Sequence, residues 1–132
     1  MAWAIIVHGG AHTVPEEKIE AHNIGCTRAA DAAATLLEKG STCIDAVEMA
    51  IRILEDDPTF NAGFGSMLNA DGEVEMDAAI MEGSALHTGA VASIRGVRHP
   101  ISVARQVMDT PHALLAGEGA RRFAQERAAE LC

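Results

Sequence analysis

The stretch AADAAATLLEK (residues 29–39) constrains the fold more than any other feature of this 132-residue chain. It is strongly helical, because alanine and straight-chain residues lose least on entering a helix. A helix opening at Thr13-Val14-Pro15-Glu16, with Thr13 as N-cap, is expected to run through Lys39 to a Gly40 cap. It carries Ile24, Ala29, Ala33, Leu36 and Leu37 near one face. Small residues on that face let a second element approach closely. Aromatic residues make up only 3% of the chain, so Ala, Val, Ile and Met must fill the core, which favours closely packed layers over a core of bulky rings. With 48% hydrophobic and 22% charged residues the composition is that of a globular protein, and the length fits one domain or a piece of one.

Residues 2–7 are a short β-branched run stopped by Gly9-Gly10 and read as a fully buried strand. A second helix is capped by Ser41 or Thr42, with Asp45 in its first turn. Ile44, Val47, Ala50, Ile51 and Leu54 form its apolar stripe, and Pro58 ends it. Residues 56–67 read as a structured loop. Asp71-Gly72 between two apolar runs predicts a hairpin. A strand over 89–94, a helix from Pro100 to about Asp109, a short buried strand over 112–116 and a last helix over 120–131 follow. The expected class is α+β, a mixed sheet with helices layered on it, antiparallel where the hairpin forms. Residues 1–132 read as a single unit without an internal boundary. No closing turn or polar tail follows the last helix, so the chain reads as unfinished.

A formal charge of −9 and a pI near 5.0 argue against nucleic acid or an anionic membrane as a main partner. The longest apolar run, residues 1–7, falls well short of the roughly 20 residues a membrane span needs, and no basic region precedes it as in a secretory signal. Cys26, Cys43 and Cys132 are odd in number and lack metal-ligand spacing, which suits buried free thiols in a reducing cytoplasm.

Chemistry is concentrated in two places. His8-Gly9-Gly10-Ala11 follows the first strand, where glycines let backbone N–H groups face a ligand or another chain, or simply make a tight turn. It is no phosphate loop, having neither GxxxxGK[ST] nor GxGxxG. The segment LEDDPTFNAGFG (residues 54–65) either turns its carbonyls inward around a hard cation, sodium or potassium rather than calcium, or is a surface loop of solvated acids. Glu73, Glu75 and Asp77 have a strand's period of 2 and would share a face, more simply a solvated face than a metal site. His12, His22, His99 and His112 are scattered singly. Cys26 and Cys43 read as inert core thiols. No GxSxG elbow or other convincing nucleophile is present.

VHGGA (7–11), LEDDPTFNAGFGSMLN (54–69), GEVEMDAAIMEG (72–83), GAVASI (89–94), HPISVARQVM (99–108) and GEGARRFA (117–124) together resemble the plant-type asparaginases, or isoaspartyl peptidases, of the N-terminal-nucleophile hydrolases. The motifs run in family order from the first strand to the last helix. The resemblance implies an αββα sandwich made as a precursor that cleaves itself before a threonine, and this chain matches only the α part. The nucleophilic threonine then stands at the start of a separate β subunit, its own amine acting as base. Expected substrates are asparagine and β-aspartyl peptides, and the expected assembly is a dimer of αβ units. The family's sodium loop maps onto the main-chain carbonyls of Leu54, Glu55, Asp57, Phe60, Ala62 and Phe64; Asp57 stands where several members have cysteine. Asn61 maps beside the active site, where it orients nucleophile or substrate. Gly9 and Gly10 map near the scissile region, although Ala11 stands where some members carry a third glycine. A glycosylasparaginase-like relative and a non-catalytic binding module are the alternative readings.

Overall fold

A computed structural model describes residues 2–132. The chain divides into two compact units, Met1–Gly65 and Ser66–Cys132.

The first unit is a helical pair. A 3-10 turn at Glu16–Lys18 leads into α1 (Ile19–Glu38), and α2 (Cys43–Asp56) follows a short link and packs against it. Helix α1 buries Gly25, Ala29 and Ala33, spaced four apart and all small; Ala29 and Ala33 pack with Ala46 and Ala50 of α2, as the sequence implied, and Gly25 lies against the loop that follows α2. Its end is a Schellman motif: Gly40, at φ +83, donates to the Leu37 carbonyl at 3.0 Å and Ser41 to that of Leu36 at 3.0 Å. Helix α2 starts with a capping box, in which Thr42 Oγ1 accepts from the Asp45 N–H at 3.2 Å and Asp45 Oδ2 from the Thr42 N–H at 3.2 Å. The core is Ala29, Ala33, Ala46, Ala50, Leu54 and Phe60, with Ile5, Val7, Cys26 and Leu37 packed against it.

Several expectations for this half are corrected. Residues 2–7 form no strand: strand propensity needs a neighbouring ladder to be realised, and none of the described residues pairs with them. Ile5 and Val7 turn inward while Ile6 is 93% exposed, so the alternation of a strand is present without its partner. Thr13 is not the N-cap. Pro15, at φ −57 and ψ 144, holds the chain extended, and the helix starts only after the 3-10 turn, with Lys18 as its cap. Ile24 and Val47 are exposed, their places on the inward stripes taken by Gly25 and Ala46.

The second unit is a three-stranded mixed sheet in the order β1 (Met76–Glu82), β2 (His87–Ile94), β3 (Leu114–Ala116), with α3 (Pro100–Met108) between β2 and β3 and α4 (Gly117–Glu126) after β3. Strands β1 and β2 are antiparallel, with Ala79 opposite Ala90, and β2 and β3 are parallel, with Ala90 opposite Leu114. Helix α3 lies so close over Gly89 that a Cβ there would meet the Ala104 carbonyl. Ile80, Val91, Ile94, Val97, Val103 and Val107 are buried in this half. Together the two halves are α+β.

The hairpin is not where the Asp71-Gly72 signal puts it. That turn does form, with Gly72 at φ +77 and the Asn69 N–H donating to the Glu73 carbonyl at 2.9 Å, but Asn69 Oδ1 accepts the Asp71 and Glu73 N–H groups at 3.0 Å each and no named strand extends from it. The sheet's hairpin is the β1–β2 connection through Leu86, at φ +56. Strand β3 is shorter than expected and only partly covered at Leu115. Helix α4 stops at Glu126, because Ala128 takes φ +53 and closes another Schellman motif; Leu131 instead bridges to Val97.

Candidate functional site

The residues singled out from the sequence lie in two segments of the first unit. In the first, the Gly10 N–H donates to His8 Nδ1 at 3.1 Å while Gly10 takes φ +111, so the histidine side chain closes a tight turn on its own backbone. Gly9 lies flat against the interior: a Cβ there would sit 2.8 Å from both Cys26 Sγ and Phe60 Cε1.

The second segment begins where α2 ends. The last carbonyls of a helix have no helical partners and carry its negative end, and no basic residue stands in this last turn. The chain then winds tightly. Asp57 N–H donates to the Leu54 carbonyl at 3.3 Å, Phe60 to Asp57 at 3.2 Å, Ala62 to Phe60 at 2.9 Å and Gly65 to Ala62 at 3.1 Å. A Cβ on Gly63, which sits at φ +52, would collide with the Glu55 carbonyl oxygen, and one on Gly65 with that of Phe60. Two of the expected ligand oxygens therefore pack directly against glycines, an approach that a residue with a side chain would block. Carbonyls that accept one hydrogen bond retain a second lone pair. The donor set is neutral oxygen throughout, which fits a hard cation of low charge. Phe64 could add only its carbonyl, its side chain being 79% exposed.

Asp57 ties the loop to α1. Its side chain is 14% exposed, and Arg28 Nη1 lies 3.6 Å from its Oδ2. Burial pushes this carboxyl upward, but hydrogen bonds from Thr59 and the nearby Arg28 guanidinium outweigh it and leave the group below its usual range. Asn61 stands exposed on the same loop, between buried Phe60 and half-buried Ala62.

Other candidates are dispersed. Of the three acids with period 2, only Asp77 lies within β1; its Oδ1 accepts the Ser93 N–H at 2.7 Å, and Glu75 Oε1 accepts from Arg95 Nε at 3.0 Å. Both serve local structure, and because Glu73 and Glu75 precede the strand the three acids do not share one strand face. Among the described residues no group of three or more His, Cys, Asp or Glu side chains is placed to hold a metal. Cys26 packs against the core, but Cys43 is exposed at the start of α2 and is no core thiol. His12, His22 and Phe60 are not scattered in space: the two imidazoles lie 5.5 Å apart, and His22 meets the Phe60 ring edge-on at 5.4 Å. The sequence signal for this cluster was Gly25, a glycine in the interior of a helical run.

No helix among the described residues is long and apolar enough to cross a membrane. The sequence pattern of the family described as Asparaginase matches residues 1–132. A plant-type L-asparaginase of Pyrococcus abyssi is 59% identical over 124 residues, 92% of this chain and 40% of the relative. An isoaspartyl peptidase/L-asparaginase of Bos taurus is 50% identical over 122 residues, 91% of this chain and 40% of the relative. That of Mus musculus is 45% identical over 124 residues, 92% of this chain and 38% of the relative. The chain thus spans about 40% of the length of these curated relatives. On a match that covers it throughout, the chain belongs to the asparaginase family.

Proposed function

We propose that residues 1–132 act as one functional portion, the α part, of a threonine-dependent hydrolase that converts L-asparagine to L-aspartate and ammonia and cleaves β-aspartyl dipeptides. The observation that carries this reading is the 59% identity to a plant-type L-asparaginase across 92% of the chain. In the proposed reaction, a threonine at the start of a β part attacks the side-chain carbonyl, and its own amine takes the hydroxyl proton. That proton passes to the leaving nitrogen, which departs as ammonia or as the amine of the dipeptide's second residue. Water then hydrolyses the acyl-threonine ester and restores the hydroxyl. This chain contributes Asn61, which orients nucleophile or substrate, and the Gly9-Gly10 turn, which lies beside the site of self-cleavage.

The carbonyls of Leu54, Glu55, Asp57, Phe60, Ala62 and Phe64 would hold a sodium ion that fixes the loop bearing Asn61. The tightly wound, glycine-bearing loop, whose Glu55 and Phe60 carbonyls pack against Gly63 and Gly65, supports this assignment.

The sandwich reading is supported by the sheet itself. One face, with Ala78, Val91 and Leu115, lies on the covered side, whereas the row Ala79–Ala90–Leu114 faces away from it, and Met81 and Leu114 are 53% and 56% exposed. A small-residue apolar face of this kind fits a second sheet belonging to the β part. We place the enzyme in the cytoplasm as a dimer of αβ units, the unpaired cysteines according with a reducing compartment.

The test uses the full-length protein. Intact-mass analysis and Edman sequencing are expected to show two polypeptides, one beginning with threonine, together with ammonia release from L-asparagine and cleavage of a β-aspartyl dipeptide. A protein that stays uncleaved and releases no ammonia overturns the reading; cleavage of glycosylasparagine in place of both substrates favours the glycosylasparaginase-like alternative.

A further inference from the structure

Phe60 is 3% exposed, and its ring is fixed on several sides at once. Gly25 of α1 lies against its far edge, where a Cβ would stand 2.7 Å from Cζ. On another edge a Cβ at Gly9 would stand 2.8 Å from Cε1. The imidazole of His22 meets it edge-to-face, with ring centroids 5.4 Å apart. Its backbone is held as well, the N–H donating to Asp57 at 3.2 Å and the carbonyl accepting from Ala62 at 2.9 Å. Gly25 stands in a helix interior, where alanine is the better helix former, so its use there has a packing reason. Real Cβ atoms do not approach a ring so closely, and an aromatic ring cannot fold away as a flexible chain end can. The two glycines therefore form a slot cut to the ring, and the slot joins three pieces of chain: the His8-Gly9-Gly10 turn, helix α1, and the loop that carries Asn61.

Resting on the function proposed above, we propose that the Phe60 side chain is a positioning residue for the hydrolysis: seated between Gly9 and Gly25, its ring fixes the Asn61 peptide relative to the Gly9-Gly10 turn. Asn61 is the next residue in the chain, so a ring that tips in its slot carries the Asn61 backbone with it. Displacements of about 1 Å in a group that orients reacting atoms are enough for a roughly hundredfold loss of rate.

The experiment measures kcat, KM and thermal midpoint in the full-length protein carrying Gly25→Ala, Phe60→Leu or both, beside Ala33→Gly, a core change two turns further along α1. Gly25→Ala and Phe60→Leu are each expected to lower kcat about tenfold or more with KM within about twofold. Leucine lacks the outer ring atoms that the new methyl would strike, so the double variant is expected to recover at least about threefold in kcat over Gly25→Ala alone. Ala33→Gly is expected to lower the thermal midpoint and leave kcat within about twofold. If Gly25→Ala fails to fold, Phe60→Leu against Ala33→Gly still decides. Equal midpoint losses with kcat unchanged in both would make the ring core packing only and overturn the proposal, as would a double variant no better than Gly25→Ala. A wild-type protein that hydrolyses neither asparagine nor a β-aspartyl dipeptide overturns both this proposal and the function it rests on; an active wild type with active variants overturns this one alone.

Discussion

At the scale of single residues, glycine does most of the positioning, and not every glycine does the same work. Gly63 and Gly72 both have positive φ, but a Cβ on Gly63 would collide with Glu55 whereas one on Gly72 meets nothing within 4 Å. Gly72→Ala is therefore expected to lose only the left-handed backbone preference, about 1 kcal/mol. Gly63→Ala adds a steric clash in a loop with no room to give, and a loss of about 3 kcal/mol or more is expected in chemical denaturation. Equal losses would mean that the loop opens more readily than its hydrogen bonds suggest. Asn61 differs again, being exposed on that loop and expected to act on chemistry rather than on stability. Asn61→Ala in the full-length protein is expected to lower turnover about a hundredfold, the size of effect seen when one polar group at a reacting carbonyl is lost, while the subunits still assemble. Unchanged turnover would remove Asn61 from the mechanism.

The elements show why part of the fold was legible in the sequence and part was not. Capping chemistry is local, so Thr42 with Asp45, Gly40 after α1 and Pro100 at the start of α3 were all readable from a few neighbouring residues. Pairing is not local. Residues 2–7 have the composition of a strand, yet no described residue forms a ladder with them, and Asp71-Gly72 makes its turn with one cross-turn backbone bond from Asn69 to Glu73 while the Asn69 side chain takes the Glu73 N–H. The site was half legible on the same grounds: two glycines in the loop after α2 announced close backbone approaches, seen at Gly63 and Gly65, but that Gly25 lies against the Phe60 ring could be seen only in three dimensions.

Two element-scale tests follow from these geometries. Ala128 ends α4 at φ +53, a conformation costly for an L-residue, so Ala128→Gly is expected to raise stability by about 0.5–1 kcal/mol despite the extra chain entropy, read as a higher denaturation midpoint. The Glu75–Arg95 pair joins the approach to β1 with the end of β2, and hydrogen bonding from Arg95 holds the Glu75 carboxyl below its usual range. A depressed carboxylate contributes stability above its unfolded pKa and loses it as pH falls through the folded value. Wild type is thus expected to exceed Glu75→Gln slightly at neutral pH, the gap closing once the pH drops below the ordinary carboxylate range; a gap that widens in acid would reverse the assigned sign.

At the scale of the whole molecule the question is what covers the sheet. Ala79, Ala90 and Leu114 line up across three strands, and Met81 beside them is 53% exposed. Burying apolar surface is worth about 25 cal/mol per Å², so a face of this character left in water favours association with whatever apolar surface it meets. If the β part of the protein supplies the second sheet, residues 1–132 produced alone are expected to self-associate, and co-production with the remainder of the protein is expected to yield a soluble complex. Charge on this face should separate the two behaviours. Met81→Lys with Leu114→Lys would keep the lone chain in solution, because a lysine on each of the two edge strands makes stacking of two faces unfavourable, and would for the same reason prevent assembly with the β part. Sedimentation velocity of the lone chain, the charged variant and each co-produced pair reads all of these at once. A lone wild-type chain that remains monomeric at high concentration, or a charged variant that still assembles, would mean that the second sheet lies elsewhere and that the layered reading proposed for these residues is wrong.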